Sequence, residues 1–316
     1  MMLQSLKNNS FFDNQRIGLA VSGGIDSMVL LDIFRRLSKK KNIDLYVLHF
    51  NHKWREKSYL DKELVLNYCK KYQIKFIYDE AKGTINKTEE EARKLRYSFF
   101  DKVRAKYKLK AVCTAHHKDD QIETIIFRLL RGTGPKGLSP IKEFDNLHLL
   151  LLYRPFINIS KDEINSYAKK HHIAYIDDIT NKDLKYKRNL IRLKILPLMR
   201  KINPCAENNL LVCSDLIYSQ DQAVSSYFAF ILKKVSTKSP FNWDRFRFLK
   251  LDEYTQKAFI YWFFSVYKFK GSVNKIRFII DAIKMQKRID LNKNLSLKVD
   301  KNAILFEVQE GRVGDA

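Results

Sequence analysis

Cysteine is scarce in this chain: Cys69, Cys113, Cys205 and Cys213 are the four among 316 residues. No two form a C-x-x-C pair and no set has zinc-ligand spacing, which excludes a zinc module. Cys69 and Cys113 fall inside apolar patterns and read as core residues, as suits a reducing cytoplasm. Long apolar runs are missing too. The longest, Ala258 to Tyr267, is too short to span a bilayer and reads as a buried helix, so no membrane partner is expected. The first residues carry no signal-peptide pattern. Acidic side chains are in deficit, 35 Asp and Glu against 59 Lys and Arg, for a formal net charge of +24. A charge of that size points to a polyanion, nucleic acid or an anionic membrane. Glycine and proline are few, at 10 and 6, while lysine abounds. A lysine-rich proteome is the bland alternative to that polyanion reading.

What is present builds a core. Hydrophobic residues make up 45% of the chain, and its length favours two domains. Short apolar runs alternate with helical patterns over the first 200 residues. Strands are predicted at 17–21, 45–50, 74–78, 111–115 and 149–152. Helices are predicted from the glycine pair to about 37, over 58–71 and over 119–130. Two more open at Thr88 with Glu91, and at Ser160 with Glu163, both capping boxes. Such alternation predicts an α/β fold: a doubly wound, mainly parallel sheet with helices on both faces. Ligands of these sheets bind beyond the carboxyl ends of the strands. The pattern changes after Pro197. A long helix over 206–235 is followed by a Phe- and Lys-rich stretch with a closing hairpin, 295–299 and 304–308. The expected domains are 1–205, catalytic, and 206–316, a linker helix with a smaller, largely helical, basic domain.

Ser22-Gly23-Gly24-Ile25-Asp26-Ser27 follows the first strand and opens a helix. Two glycines let backbone N–H groups approach an anion, and the helix N-terminus adds partial positive charge. Ser22 and Ser27 add hydroxyls, and Asp26 can reach a magnesium ion. A plain tight turn explains one glycine and a serine, not the hexapeptide. Gly132–Gly137 matches a dinucleotide-loop pattern but follows a helix, and Leu138 stands where a Walker lysine is required.

Further polar groups follow later strands. His49, Asn51 and His52 come off the second and can reach a nucleotide, or simply cap local backbone. His116 and His117 follow the fourth. Asp120 and Glu123, three apart on the next helix, share a face and suit magnesium or an ammonium group. An acidic first turn favouring the helix dipole is the alternative, but the adjacent His-His pair and the position after a parallel strand favour function. Arg93, Arg96, Arg128, Arg131, Arg154, Arg188 and Arg192 are candidates for phosphate, because a guanidinium bonds two oxygens at once.

The hexapeptide resembles the PP-loop of the ATP pyrophosphatase superfamily, with the pattern S-G-G-x-D-S. Together with His49-x-Asn51-His52, Glu91 to Tyr97, Thr114 to Thr124, Leu130 to Leu138, Arg154-Pro155 and Asp178 to Arg192, it resembles the tRNA(Ile)-lysidine synthase family over residues 15–200. The resemblance implies an adenine nucleotide alpha hydrolase-like fold and a cytoplasmic ligase. ATP would activate the wobble cytidine of the CAU-anticodon tRNA(Ile) as an adenylate, and the ε-amine of free L-lysine would displace AMP. It implies Ser22, Gly23, Gly24, Ile25, Asp26, Ser27, His49, Asn51 and His116 as nucleotide contacts. Asp26 and Asp120 would bind Mg2+, and Arg96 would lie near the reacting phosphate. Glu123 would hold the lysine ammonium, while Arg188 and Arg192 would contact phosphate or substrate. It leaves room for a homodimer and likens the region after 210 to a short family form. A tRNA thiolase of the same superfamily is the alternative, but such enzymes need a persulfide cysteine or a cluster-binding C-x-x-C. A non-catalytic RNA-binding relative should have lost the loop.

Overall fold

Six short runs form the first sheet: β1 (Arg16–Ala20), β2 (Asp44–Asn51), β3 (Lys75–Glu80), β4 (Ala111–Cys113), β5 (Phe144–Leu147) and β6 (Leu150–Tyr153). The computed structural model describes residues 10–54, 57–81, 89–147, 149–177, 183–269, 273–292 and 295–308. Thr88 and the stretch Asp178 to Asn181 lie outside them. The sheet order is β3-β2-β1-β4-β6-β5. β1, β2, β3, β4 and β6 run parallel, and β5 is antiparallel to β6 at the edge. The sequence pattern missed β5, because Phe-Asp-Asn-Leu is a half-exposed edge strand with no apolar alternation.

Both faces of the sheet are covered, which is why its central runs are apolar throughout. Ile17 and Leu19 of β1 pack with helix α1 (Ile25–Lys41), helix α2 (Tyr59–Tyr72) and helix α5 (Lys161–Lys170). The opposite face meets helix α3 (Glu89–Tyr107) through Phe99, Phe100 and Val103. There β1 presents Gly18, where an added Cβ would lie 3.0 Å from Leu109 and 3.1 Å from Val112. Helix α4 (Lys118–Arg131) follows β4. It packs through Ile122 and Ile126 on Ile191 of a π-helical turn (Ile191–Ile195), which continues helix α6 (Lys187–Leu190), and on Leu196 of helix α7 (Leu196–Ile202).

Neighbours of β1 lead in opposite directions: β2 on one side, β4 on the other. The chain order therefore reverses between β1 and β4. A crevice opens at such a switch point beyond the strand ends. The segments after β1 and β4 carry the hexapeptide and the histidine pair.

The chain divides into two units, Met1–Ile217 and Tyr218–Ala316, within helix α8 (Ala206–Val235). The second unit holds β7 (Ser236–Ser239), β8 (Asn242–Asp244), helix α9 (Arg245–Leu249), helix α10 (Glu253–Val266), helix α11 (Val273–Met285), β9 (Ile289–Asn292), β10 (Leu295–Val299) and β11 (Ala303–Val308). Its sheet is antiparallel, in the order β7-β8-β11-β10-β9. The anticipated hairpin is β10–β11, pairing Leu295 with Val308 and Val299 with Ile304. Trp243 is the hub of this core, with Phe248, Phe259, Phe263 and Phe306 around it, and its indole N–H donates to Pro240 O at 2.7 Å. No helix among the described residues is long and apolar enough to cross a membrane.

Candidate active site

The hexapeptide folds as a compact turn. Ser27 Oγ donates to Gly24 O at 2.9 Å and accepts the Ser22 N–H at 3.1 Å. Gly23 has φ +96°, a left-handed region that side chains rarely enter, and a Cβ there would lie 3.1 Å from that of Asp61. Gly24 caps α1 in extended geometry with no side-chain cap, so the first-turn N–H groups of the helix are not served by a side chain.

Three acidic groups gather at the ends of β1 and β4. His117 stands among them, almost wholly buried. Its Nε2 lies 3.9 Å from Asp26 Oδ2 and 3.6 Å from Asp120 Oδ2, and its Nδ1 lies 3.7 Å from Asp119 Oδ1. Burial pulls the His117 pKa down, but Asp119, Asp120 and Asp26 outweigh it and hold it above the ordinary value. Burial likewise raises that of Asp119, yet His117, the Lys161 N–H and Arg200 bring it to about 2. Lys161 donates its backbone N–H to Asp119 Oδ1 at 3.0 Å, and its ammonium bonds Asp26 Oδ1 directly. Asp120 accepts the His117 N–H at 2.9 Å, the reciprocal bond at the start of α4.

One turn further along α4, Glu123 is 2% exposed. Arg192, on the π turn, grips it with both arms, Nε to Oε1 at 2.5 Å and a terminal nitrogen to Oε2 at 3.0 Å. The same guanidinium lies 3.7 Å from Asp120 Oδ1. Burial raises the Glu123 pKa above the ordinary carboxylate value, and Arg192 offsets only part of that. Glu123 buried without a partner would cost several kcal/mol, and the bidentate grip of the half-exposed Arg192 offsets that cost.

The structure thus brings Asp26, Asp120, Glu123 and Arg192 together. Arg96 lies over the Tyr97 ring at 5.7 Å, and its charge adds to burial, the larger cause, in lowering the pKa values of His116 and His52. His116 Nδ1 meets Thr114 Oγ1 at 2.8 Å. His49 and Asn51 turn inward instead. His49 Nδ1 donates to Val21 O at 2.8 Å, just ahead of the hexapeptide, with its ring stacked on Tyr78. Asn51 Oδ1 accepts the Lys53 N–H at 2.9 Å. Two of the candidate arginines serve the local chain. Arg128 bonds Gly137 O and Ser139 O, both at 2.9 Å, and buried Arg154 ties Lys142 O to Asp145. Lys161 and Asp119 were not singled out beforehand, and His117 only as one of an adjacent pair of histidines. Lys161 reads locally as the first residue after an N-cap, and only the fold sets it against Asp26.

The comparisons with known proteins bear on the family. Residues 1–199 match the family model described as a PP-loop domain. The tRNA(Ile)-lysidine synthase of Thermotoga maritima is 38% identical over 202 residues, 62% of this chain and 48% of that protein. Its namesake in Petrotoga mobilis is 36% identical over 222 residues, 67% of this chain and 69% of that protein. Its namesake in Francisella tularensis is 33% identical over 257 residues, 80% and 63%. Among solved structures, the U34-tRNA thiolase NcsA of Methanococcus maripaludis, with its [4Fe-4S] cluster, matches with a TM-score of 0.57 at 15% identity, covering 69% of this chain and 76% of that one. That likeness speaks to the fold alone. The chain belongs to the PP-loop domain family and, within it, to the tRNA(Ile)-lysidine synthases. The match spans about half of the Thermotoga relative's length.

Proposed function

We propose that the protein is an ATP-dependent ligase that joins lysine to the wobble cytidine of the CAU-anticodon tRNA(Ile). The observation that carries this is the Asp26–His117–Asp120–Glu123–Arg192 constellation at the switch point beside an intact PP-loop, in a chain of this family. In the first step the cytosine 2-carbonyl oxygen attacks the α-phosphorus of ATP and pyrophosphate leaves. Ser22, Gly23, Gly24, Ile25, Asp26 and Ser27 hold the phosphates through backbone N–H groups and hydroxyls. His49 braces the strand end beneath them, Asn51 shapes the neighbouring turn, and His116 borders the nucleotide. Arg96 offsets charge at the reacting phosphate. In the second step the lysine ε-amine attacks C2 and AMP leaves. Glu123 receives the lysine ammonium, the Arg192 fork favouring its charged form, and takes the proton.

Magnesium fits this donor set. Asp26 and Asp120 offer two part-exposed carboxylates flanking one imidazole nitrogen, and Mg2+ takes one or two carboxylates and fills its shell with phosphate oxygens and water. Among the described residues, no group of three or more His, Cys, Asp or Glu is arranged to hold a metal ion by itself. Bound there, it supplies charge neutralisation on the triphosphate. Lys161 shares the Asp26 carboxylate and must give way or move onto phosphate.

The reading places the protein in the cytoplasm, with the second unit adding RNA contacts and a homodimer as a further possibility to examine by sizing. The thiolase alternative gains nothing from the thiols: burial pushes the Cys69 pKa to about 12 and that of Cys113 well above its ordinary value, while Cys205 and Cys213 form no C-x-x-C. The test is incubation with ATP, Mg2+, labelled lysine and the CAU-anticodon transcript. Label should enter the RNA only with ATP present. A folded, ATP-binding protein that transfers none overturns the proposal.

A further inference from the structure

Lys161 sits where local electrostatics disfavour it. It is the first residue of α5 after the N-cap Ser160, and a cation at a helix N-terminus opposes the helix dipole. Asp162 and Glu163 suit that first turn; Lys161 does not. A residue that breaks a local rule is a candidate for a role set by the fold. The fold fixes its backbone closely, because the start of α5 is stitched to the start of α4. Lys118 N–H donates to Ile159 O at 2.9 Å, Gln121 Nε2 to Ile157 O at 2.8 Å, and Lys161 N–H to Asp119 Oδ1 at 3.0 Å. The capping box of Ser160 and Glu163 holds the other side of the turn.

The side chain is held more loosely. Its ammonium bonds Asp26 Oδ1, which belongs both to the PP-loop and to the first turn of α1. That sets a cation at a helix start whose first N–H groups no side chain caps, the place where phosphates are held in the reading above. The two side chains are 33% and 31% exposed, so the pair is weakly held and an exchange of partners costs little. A flexible four-carbon stem on a fixed backbone lets the ammonium swing without moving the sheet. Asp26 does not serve Lys161 and Mg2+ equally well, since two cations on one carboxylate repel each other. The phosphates seated on that same turn are the anion that takes the displaced ammonium.

We propose that Lys161 is a ligand for the pyrophosphate portion of ATP that changes partners on binding: Mg2+ takes Asp26, and the displaced ammonium bonds the phosphates. This rests on the nucleotide-binding reading of the PP-loop given above. The exchange couples metal to nucleotide. Mg2+ arriving alone must compete with Lys161 for Asp26, whereas Mg2+ arriving with ATP brings the anion to which Lys161 moves. Free metal is thus held weakly and the metal–nucleotide complex is favoured. On the phosphates, the ammonium stabilises the charge that builds on pyrophosphate as its bond to the α-phosphorus breaks.

The experiment uses the full chain, with K161Q and K161R. Calorimetry measures binding of Mn2+ alone, as a stand-in for Mg2+, and of inorganic pyrophosphate with Mg2+ present, while circular dichroism confirms the fold. K161Q removes the competitor for Asp26 and the bond to phosphate together, so its two affinities should move in opposite directions. Mn2+ alone should bind about 3-fold more tightly, the scale of a part-exposed ion pair. Magnesium pyrophosphate should bind about 10-fold more weakly, for the loss of one charged hydrogen bond. K161R keeps the charge and should stay close to wild type on both. A merely structural lysine would weaken both ligands in K161Q, and that result overturns the exchange. So does unchanged pyrophosphate affinity in K161Q, and so does a K161R that falls as far as K161Q. If the variants shift as expected but the wild type transfers no lysine to RNA, the ligase reading fails and the exchange stands. A wild type that binds no pyrophosphate overturns the nucleotide reading and the exchange with it.

Discussion

Glu123 is an anion that the protein has buried and then answered with one cation. Burial raises its pKa while the Arg192 fork favours the charged form. If Glu123 must be ionised to receive the lysine ammonium, lysine transfer declines as pH falls. Because the folded pKa is raised, that acid limb sits above the ordinary carboxylate range. A pH profile of kcat/KM for lysine checks this, and a limb below pH 4.3, the value of a free Glu side chain, contradicts it. Glu123→Gln removes the charge but keeps the shape. A charged hydrogen bond contributes roughly 1.5–3 kcal/mol, so kcat/KM for lysine should drop about 10- to 100-fold with ATP affinity little altered. Isothermal titration with ATP and with lysine separates the two. A larger effect on ATP reverses the assignment. His117 is the complementary case: three carboxylates outweigh its burial and hold its pKa above the ordinary value. Its value was hidden in the sequence, where it is one of two adjacent histidines.

At the scale of elements, the PP-loop turn and the α1 anchor explain why the site holds its shape. Gly23→Ala forces a side chain into a left-handed conformation against Asp61. ATP binding should be lost while the melting temperature falls by only a few degrees, since such backbone strain costs of order 1–3 kcal/mol. Deeper on α1, Asp32 is bonded by Arg35, Arg36, Tyr68 and Tyr167, joining α1 to α2 and α5. Burial would raise its pKa, but Arg35, Tyr68, Arg36 and Tyr167 together lower it to about 2. A lowered folded pKa stabilises above the unfolded value and loses that stability as pH falls through the folded one. The contribution is about 2 kcal/mol at neutral pH and fades between roughly pH 4 and pH 2. Asp32→Asn leaves two arginines and two hydroxyls without their anion and should cost about 3 kcal/mol. Chemical denaturation at pH 7 measures it, and an unchanged midpoint contradicts the account.

These elements also show what was legible beforehand. Ser22–Ser27 could be read because phosphate binding needs contiguous backbone, and contiguity is visible in a sequence. Asp120 and Glu123 could be read because a helix puts positions three apart on one face. Lys161 could not be, since its partner Asp26 lies 135 residues away. Arg128 and Arg154 were plausible phosphate ligands by residue type, but local carbonyls had claimed them, and nothing local announces that. The strand β5 was missed because an exposed edge needs no apolar pattern.

For the whole molecule, a doubly wound sheet supplies a switch point, two helices carry carboxylates to it, and positive charge spread over both units suits an RNA backbone. RNA affinity should therefore fall steeply with salt while lysine affinity does not, and a flat salt response would contradict a phosphate-dominated interface. The central claim is a carbon–nitrogen bond at one base. The most direct test is nucleoside digestion and mass spectrometry of the CAU-anticodon tRNA(Ile) after reaction with ATP, Mg2+ and lysine. The account predicts a wobble cytidine carrying lysine with the loss of one water. An unmodified cytidine, or a sulfur-containing nucleoside, contradicts it.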